Sequence, residues 1–254
     1  SASTTGSVTV DNGVAFSDNC TGFRVPQLER EALIAFYNAT GGGTDWTGQF
    51  WDTDPNSLSN VGAWNGVTTA IVNGQKHVVK LEILNRNLNG FIPTEIKNLT
   101  ELIELNLGVF SGRGSLTEIK PEIGELTKLE RLDLTGHKLT TLPTEIGSLA
   151  SLIYLDLSNN SLTSLPAGIG DFAALEVLRI TSQNNVSTRE KTLTILPDEI
   201  GNITSLKQLY LQDNKLTSLP NTIDGLTALE QLYLGDGSGR GNELSSLPAT
   251  IGNL

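Results

Sequence analysis

The sequence predicts an α/β fold: a curved right-handed solenoid with a parallel sheet on its concave face and a helical cap at its N-terminus. Three observations carry that prediction. A pattern of 23 residues, as in LIYLDLSNNSLTSLPAGIGDFAA (152–174), returns from residue 78 to residue 254. Within each copy a short L-x-L stretch alternates, so its leucines face one side and the residues between them face the other. Ahead of the repeats, residues 24–77 combine helix-spaced apolar side chains with all three tryptophans of the chain.

The elements follow in order. Residues 1–23 (SASTTGSVTVDNGVAFSDNCTGF) are small and polar and read as a leader or linker, with a strand laid on the cap as the alternative. Residues 24–77 form the cap. Pro26 is expected at the first helical position and Gly41–Gly43 at the helix end. Leu28, Ala32, Ala35, Phe36 and Ala39 fall on one helical face. An open stack of repeats exposes apolar surface at its ends and needs a lid, so Trp46, Trp51 and Trp64 are read as the core of that lid.

Residues 78–254 hold seven repeats, starting near Val78, Leu102, Leu129, Leu152, Leu175, Leu206 and Leu229. No single copy can bury its own leucines; stacked neighbours build a common core. Pro93, Pro121, Pro143, Pro166, Pro197, Pro220 and Pro248 mark the turn on the far side, where no ladder N–H is needed. Asn160, Asn214 and Asn242 sit where a carboxamide can bond backbone groups inside the turn, and Arg86 and His137 interrupt that series. The last copy ends in LSSLPATIGNL without a lid, so the stack is read as open at its C-terminus and the natural chain is expected to continue.

The L-x-x-L-x-L-x-x-N-x-L core over residues 78–254 resembles that of leucine-rich repeat proteins. W-N-G-V-T-T (64–69) and L-N-G-F-I-P (88–93) are similar to the N-terminal cap and turn of plant-type members, although Thr69 stands where those caps carry a cysteine. The later L-T-x-L-P turns resemble bacterial members. The resemblance implies a non-enzymatic recognition module, extracellular or at the cell surface, that binds a protein or polysaccharide through its concave sheet and edge loops. A structural or adhesive segment of a larger surface protein, or an accessory domain of a secreted enzyme, are the alternatives.

Composition narrows the partners. The net charge is −11, with 28 acidic and 17 basic residues. Nucleic acid and anionic membrane surfaces both need a basic face, so neither is expected. No apolar run approaches the length of a membrane span. Cys20 is the single cysteine and forms no internal disulfide. The two histidines, His77 and His137, lie in no metal-ligand spacing, and no nucleophile elbow or phosphate loop appears. No catalytic residue, metal or cofactor is expected, and the oligomeric state is left open.

Candidate binding residues come from the outward strand positions. They are Glu82, Glu104, Arg131, Asp133, Tyr154, Asp156, Arg179, Gln208, Tyr210, Gln231 and Tyr233. Three of the four tyrosines fall here, and tyrosine supplies contact area with a polar tip. The face reads as graded, with acids near the cap and tyrosine with glutamine farther along. Insertions after L-x-L at 108–115, 181–192 and 235–243 should project from one edge of the sheet. They contribute Arg113, Arg189, Asp236 and Arg240, and the tetrapeptide SGRG occurs in the first and third.

Overall fold

The computed structural model describes residues 10–11, 14–15, 24–42, 46, 51–54, 60–110, 114–184, 190–235 and 241–254. A two-residue pair, β1 (Val10–Asp11) and β2 (Val14–Ala15), is antiparallel. Then comes α1 (Gln27–Ala39). The main sheet holds β3 (Val67–Val72), β4 (Gln75–Glu82), β6 (Glu104–Asn106), β8 (Arg131–Asp133), β9 (Tyr154–Asp156), β10 (Val177–Arg179), β11 (Gln208–Tyr210) and β12 (Gln231–Tyr233). Its order is β12-β11-β10-β9-β8-β6-β4-β3, parallel throughout except where β3 meets β4. A second parallel pair joins β5 (Asn89–Ile92) to β7 (Ser115–Ile119) on the other side of the first two repeats. Each repeat returns through a short 3-10 helix such as Thr144–Ser148 or Asp198–Asn202.

Leucine alternation produces the sheet. Leu105, Leu132, Leu155, Leu178 and Leu209 stand in register on neighbouring strands and are fully buried. Removing five such side chains from water favours the stack by roughly 2 kcal/mol each. On the far side the coils approach so closely that a Cβ on Gly147 would run into the carbonyl of Gly168.

The cap helix differs from the expected pattern. Pro26 is the residue before α1, not its first member. Leu28 is 60% exposed, while Glu29, Arg30, Ala32, Leu33, Phe36 and Tyr37 form the buried face. Burying Glu29 makes sense once its partners are seen. Its carboxylate accepts the Val78 N–H at 2.7 Å and pairs with His77 Nδ1, so it ties the helix to the first repeat. Burial pushes the Glu29 carboxyl up, against the opposing pull of those two partners. His77 is thus a junction residue.

The tryptophans are core. Trp51 packs against Trp46 edge-on at 5.0 Å and stacks on Trp64 at 5.1 Å. Trp46 Nε1 donates to Thr40 O, and Arg30 lies over Trp64 while donating to the carbonyls of Asp52 and Asp54. The β3–β4 hairpin turns at Asn73 and Gly74, both with positive φ, the pair favoured in two-residue hairpin turns.

Candidate functional site

Strand register turns the outward positions into two rows. The first runs Lys80, Glu104, Arg131, Tyr154, Val177, Gln208, Gln231. The second runs Glu82, Asn106, Asp133, Asp156, Arg179, Tyr210, Tyr233. All eleven candidate strand residues therefore lie on one face, in neighbouring coils about 4.8 Å apart.

The proximal part is not the open acidic surface that the sequence leads one to expect. Lys80 pairs with Glu82 at 3.4 Å and with Glu104 at 3.1 Å. Arg131 reaches Glu104 at 3.8 Å and Asp133 at 3.5 Å. Asp133 and Asp156 are buried, at 3% and 7% exposure. Each spends one oxygen on its own turn: Asp133 Oδ1 accepts the Thr135 N–H, and Asp156 Oδ1 accepts the Ser158 N–H. Asn106 does the same for Gly108. The second strand acid is thus first a turn-closing group, because the chain leaves the strand there and its next N–H needs an acceptor. Burial raises the Asp133 carboxyl above its usual range.

From β8 onward, planar groups stack along the face. The Arg131 guanidinium lies 3.7 Å from the Tyr154 ring centre, and that of Arg179 lies 4.2 Å from Tyr210. Tyr210 and Tyr233 stack at 4.5 Å with planes 10° apart. Tyr154 donates its hydroxyl to Asp156 Oδ2, which also takes Arg179 Nε at 3.1 Å. Burial, then the neighbouring Asp156 charge, pushes the Tyr154 hydroxyl up to about 12, so it stays a donor at neutral pH. Over β11 and β12 no ionised group remains in either row. Tyr210 donates to Gln208 Oε1 and Tyr233 to Gln231 Oε1, each at 3.1 Å. Beside them Gln212 Oε1 is buried and has no hydrogen-bond partner among the described residues.

The loop candidates Arg113, Arg189, Asp236 and Arg240 lie outside the described residues, as do Cys20 and most of the leader. The anchors of those loops are described. Asp213 takes Ser182 Oγ on one oxygen and Lys191 Nζ, at 3.1 Å, on the other. Lys191 also donates to Gly241 O at 2.7 Å. Sequence reasoning missed both residues. Lys191 sits in an insertion with no repeat register to flag it. Asp213 stands just before a ladder asparagine, at a positive φ shared with Asn159 one position before Asn160, and that alignment was a usable signal.

Beneath this edge runs a carboxamide ladder, buried at Asn160, Gln183 and Asn214 and part-buried at Asn242. Asn160 Nδ2 donates to the carbonyls of Leu134 and Leu157, and its Oδ1 accepts the Leu139 N–H. Asn214 and Asn242 repeat the pattern. Gln183 takes the place in the fifth repeat, donating to Leu157 O and accepting the Leu162 N–H. His137, which breaks the asparagine series, still donates from Nε2 to Leu107 O at 2.9 Å, but its buried Nδ1 has no hydrogen-bond partner among the described residues. Burial holds its pKa down at about 4, so the ring is neutral.

At the cap end of the face an open hollow of about 410 Å³ lies between Trp46, Gly66, Glu82 and Arg86. Among the described residues no group of three or more potential ligands could hold a metal ion, and no helix is long and apolar enough to cross a membrane.

Comparison with known proteins agrees with this architecture. Residues 76–194 match a family model described as a leucine-rich repeat region, and residues 204–250 match one described as leucine-rich repeats in two copies. The leucine-rich repeat protein LIC12759 of Leptospira interrogans is 35% identical, with a TM-score of 0.50, over 69% of this chain and 46% of its own. PEPR1, solved as PEPR1–AtPEP1, is 25% identical with a TM-score of 0.60, over 87% of this chain and 32% of its own. The Arabidopsis receptor kinase HAESA, solved with the peptide hormone IDA and the co-receptor SERK1, shares the fold at 20% identity and a TM-score of 0.64, over 89% of this chain and 35% of its own. The chain thus spans less than half the length of each. No curated protein matches it by sequence. With repeat models matching on both sides of residue 200 and a repeat protein over two thirds of its length, the chain belongs to the leucine-rich repeat family.

Proposed function

We propose that this chain is a non-enzymatic recognition module, at the cell surface or outside the cell, that binds an extended peptide or protein segment across β9–β12. One observation carries the reading. The stacked column of Arg179, Tyr210 and Tyr233 is held in place before any ligand arrives, by Asp156 below it and by the flanking glutamines. Side chains already ordered lose little entropy on binding, and tyrosine and arginine are the residue types that dominate interface hot spots. The glutamines spend their oxygens on the tyrosine hydroxyls, which leaves their amide N–H groups to meet carbonyls of a ligand backbone. HAESA, on the same fold, was solved with a peptide hormone, and PEPR1 was solved together with AtPEP1. Both support peptide over polysaccharide as the ligand class.

The test is selection of a random peptide display library on the full chain. Tyr210→Ala combined with Tyr233→Ala should weaken the selected peptides at least about tenfold while the thermal midpoint changes little. Peptides that bind the double variant as well as the wild type would remove this face as the site. Retention on an insoluble polysaccharide panel, lost in the same double variant, would keep the face and replace the ligand class. A chain that selects nothing and retains nothing would favour a structural or adhesive role.

A further inference from the structure

The two rows of the sheet face hold three basic side chains, Lys80, Arg131 and Arg179, and the first two are neutralised where they stand. Lys80 pairs with Glu82 and Glu104, and Arg131 with Glu104 and Asp133. Arg179 differs. Its one carboxylate is Asp156, 3.1 Å from Nε, and that group is already engaged: Oδ1 accepts the Ser158 N–H, and Oδ2 accepts the Tyr154 hydroxyl. The guanidinium lies over the Tyr210 ring, and the side chain is partly exposed. Among the described residues none accepts a hydrogen bond from its Nη groups. Beyond Arg179 the rows hold only Gln208, Gln231, Tyr210 and Tyr233, so this fork borders an uncharged shelf. A guanidinium held on an aromatic face with its Nη pair unused matches a carboxylate, which it can take by two parallel N–H···O bonds.

We propose that Arg179 is the specificity-determining residue of this face and takes an acidic side chain of the bound segment. The inference rests on the proposed use of β9–β12 as the binding surface and adds the ligand chemistry to it. A segment that crosses from β9 to β12 passes over β10 and continues, so the carboxylate that meets Arg179 belongs to a side chain within it. Strand spacing sets the pattern. Arg179 and Tyr233 stand two strands apart, about 9.6 Å, and an extended chain advances about 3.3 Å per residue. The acidic residue therefore lies about three positions from the residue that meets Tyr233. The net charge of −11 opposes acidic ligands at long range, so the rest of the segment is neutral or basic.

The experiment uses the full chain as wild type and Arg179→Gln. Library-selected peptides that are weakened by Tyr210→Ala with Tyr233→Ala are synthesised with amidated C-termini, each beside a version whose acidic residue is replaced by its amide. These shelf-dependent peptides are expected to share an acidic residue. Replacing it, or making Arg179→Gln, should each weaken binding about tenfold, and both together no more than either alone. Shelf-dependent peptides without an acidic residue, or an Arg179→Gln loss equal for acid and amide versions, would overturn the inference. A second probe does not need the shelf. N-acetylglutamate N-methylamide is titrated against the arginine side-chain N–H resonances, with the glutamine analogue as control. Arg179 is expected to shift saturably with the acid alone, and Arg131, whose carboxylates are in place, to shift little. If no selected peptide depends on the shelf, the functional reading fails by itself. The titration then decides the inference: a shift at Arg179 upholds the carboxylate site, and no shift overturns it.

Discussion

Two side-chain ladders run along this solenoid with the period of the repeat, one beginning at His137 and the other at Lys80. One, buried at His137, Asn160, Gln183 and Asn214 and part-buried at Asn242, bonds main-chain groups at the sheet edge. The other, from Lys80 to Tyr233, lies on the sheet face and bonds side chains mainly to side chains, half-exposed except where Asn106, Asp133 and Asp156 are buried in its second row. Repetition alone does not distinguish them. What separates them is the solvent. A buried amide that loses its partner leaves carbonyls and N–H groups unsatisfied in an apolar setting, whereas an exposed pair that breaks is replaced by water. Substitutions in the first ladder are therefore expected to cost more stability than substitutions in the half-exposed positions of the second.

The sharpest way to break that comparison is Asn160→Ala. It orphans the Leu134 carbonyl and the Leu139 N–H, while Leu157 O keeps Gln183 Nε2, and should cost about 3 kcal/mol by denaturant unfolding. A cost below that of a surface substitution would mean water enters the turn and the two ladders are alike. Next comes His137. Its folded pKa of about 4 lies below the usual histidine value, so below pH 6.5 the unfolded chain binds a proton that the folded chain refuses. Stability should fall as the pH drops from about 6.5 toward 4, by up to about 3 kcal/mol. Glu29 and Asp133, both raised by burial, titrate with the opposite sign in the acid range. The difference between wild type and His137→Asn isolates the histidine, and a difference independent of pH would show that its ring is not kept neutral.

Smaller effects belong to the exposed ladder. A double-mutant cycle on Arg131 and Tyr154 should give a coupling of about 1 kcal/mol that survives added salt, because the guanidinium lies on the ring face as well as beside carboxylates. Coupling that vanishes in salt would make the contact purely ionic. Smallest of all, Lys128→Ala should leave the midpoint within experimental scatter. Its partner Glu101 is close, at 2.6 Å, but the lysine side chain is half exposed. A clear loss there would show that surface pairs in this repeat array stabilise more than isolated ones do.

Much of the fold was legible from the chain. The leucine alternation fixes which side chains enter the core, and a 23-residue spacing fixes that each strand pairs with its predecessor in register. The hairpin at Asn73–Gly74 was not read, although that dipeptide favours the tight turn. The helix face was read less well. Helical periodicity counts apolar residues, and it placed Leu28 inward because nothing local reveals that Glu29 has a main-chain N–H to receive from Val78, 49 residues away.

The candidate face divides the same way. Alternation by itself determines that Glu104, Arg131, Tyr154, Arg179, Tyr210 and Tyr233 point away from the core, since side chains in a strand alternate regardless of partners. Only the stacking of coils decides which of them are consumed by one another. Asp133 and Asp156 look like surface acids in the sequence, yet they close their own turns. His137 looks like a defect in a row of asparagines, yet it reaches the same class of carbonyl. Lys191 belongs to no repeat at all, and its place between Asp213 and Gly241 exists only after three coils are stacked. The physical reason is range. Periodicity is a property of neighbours along the chain, while many of the hydrogen bonds and charge pairs here, such as His137 to Leu107 and Lys191 to Gly241, join residues 20 to 50 positions apart.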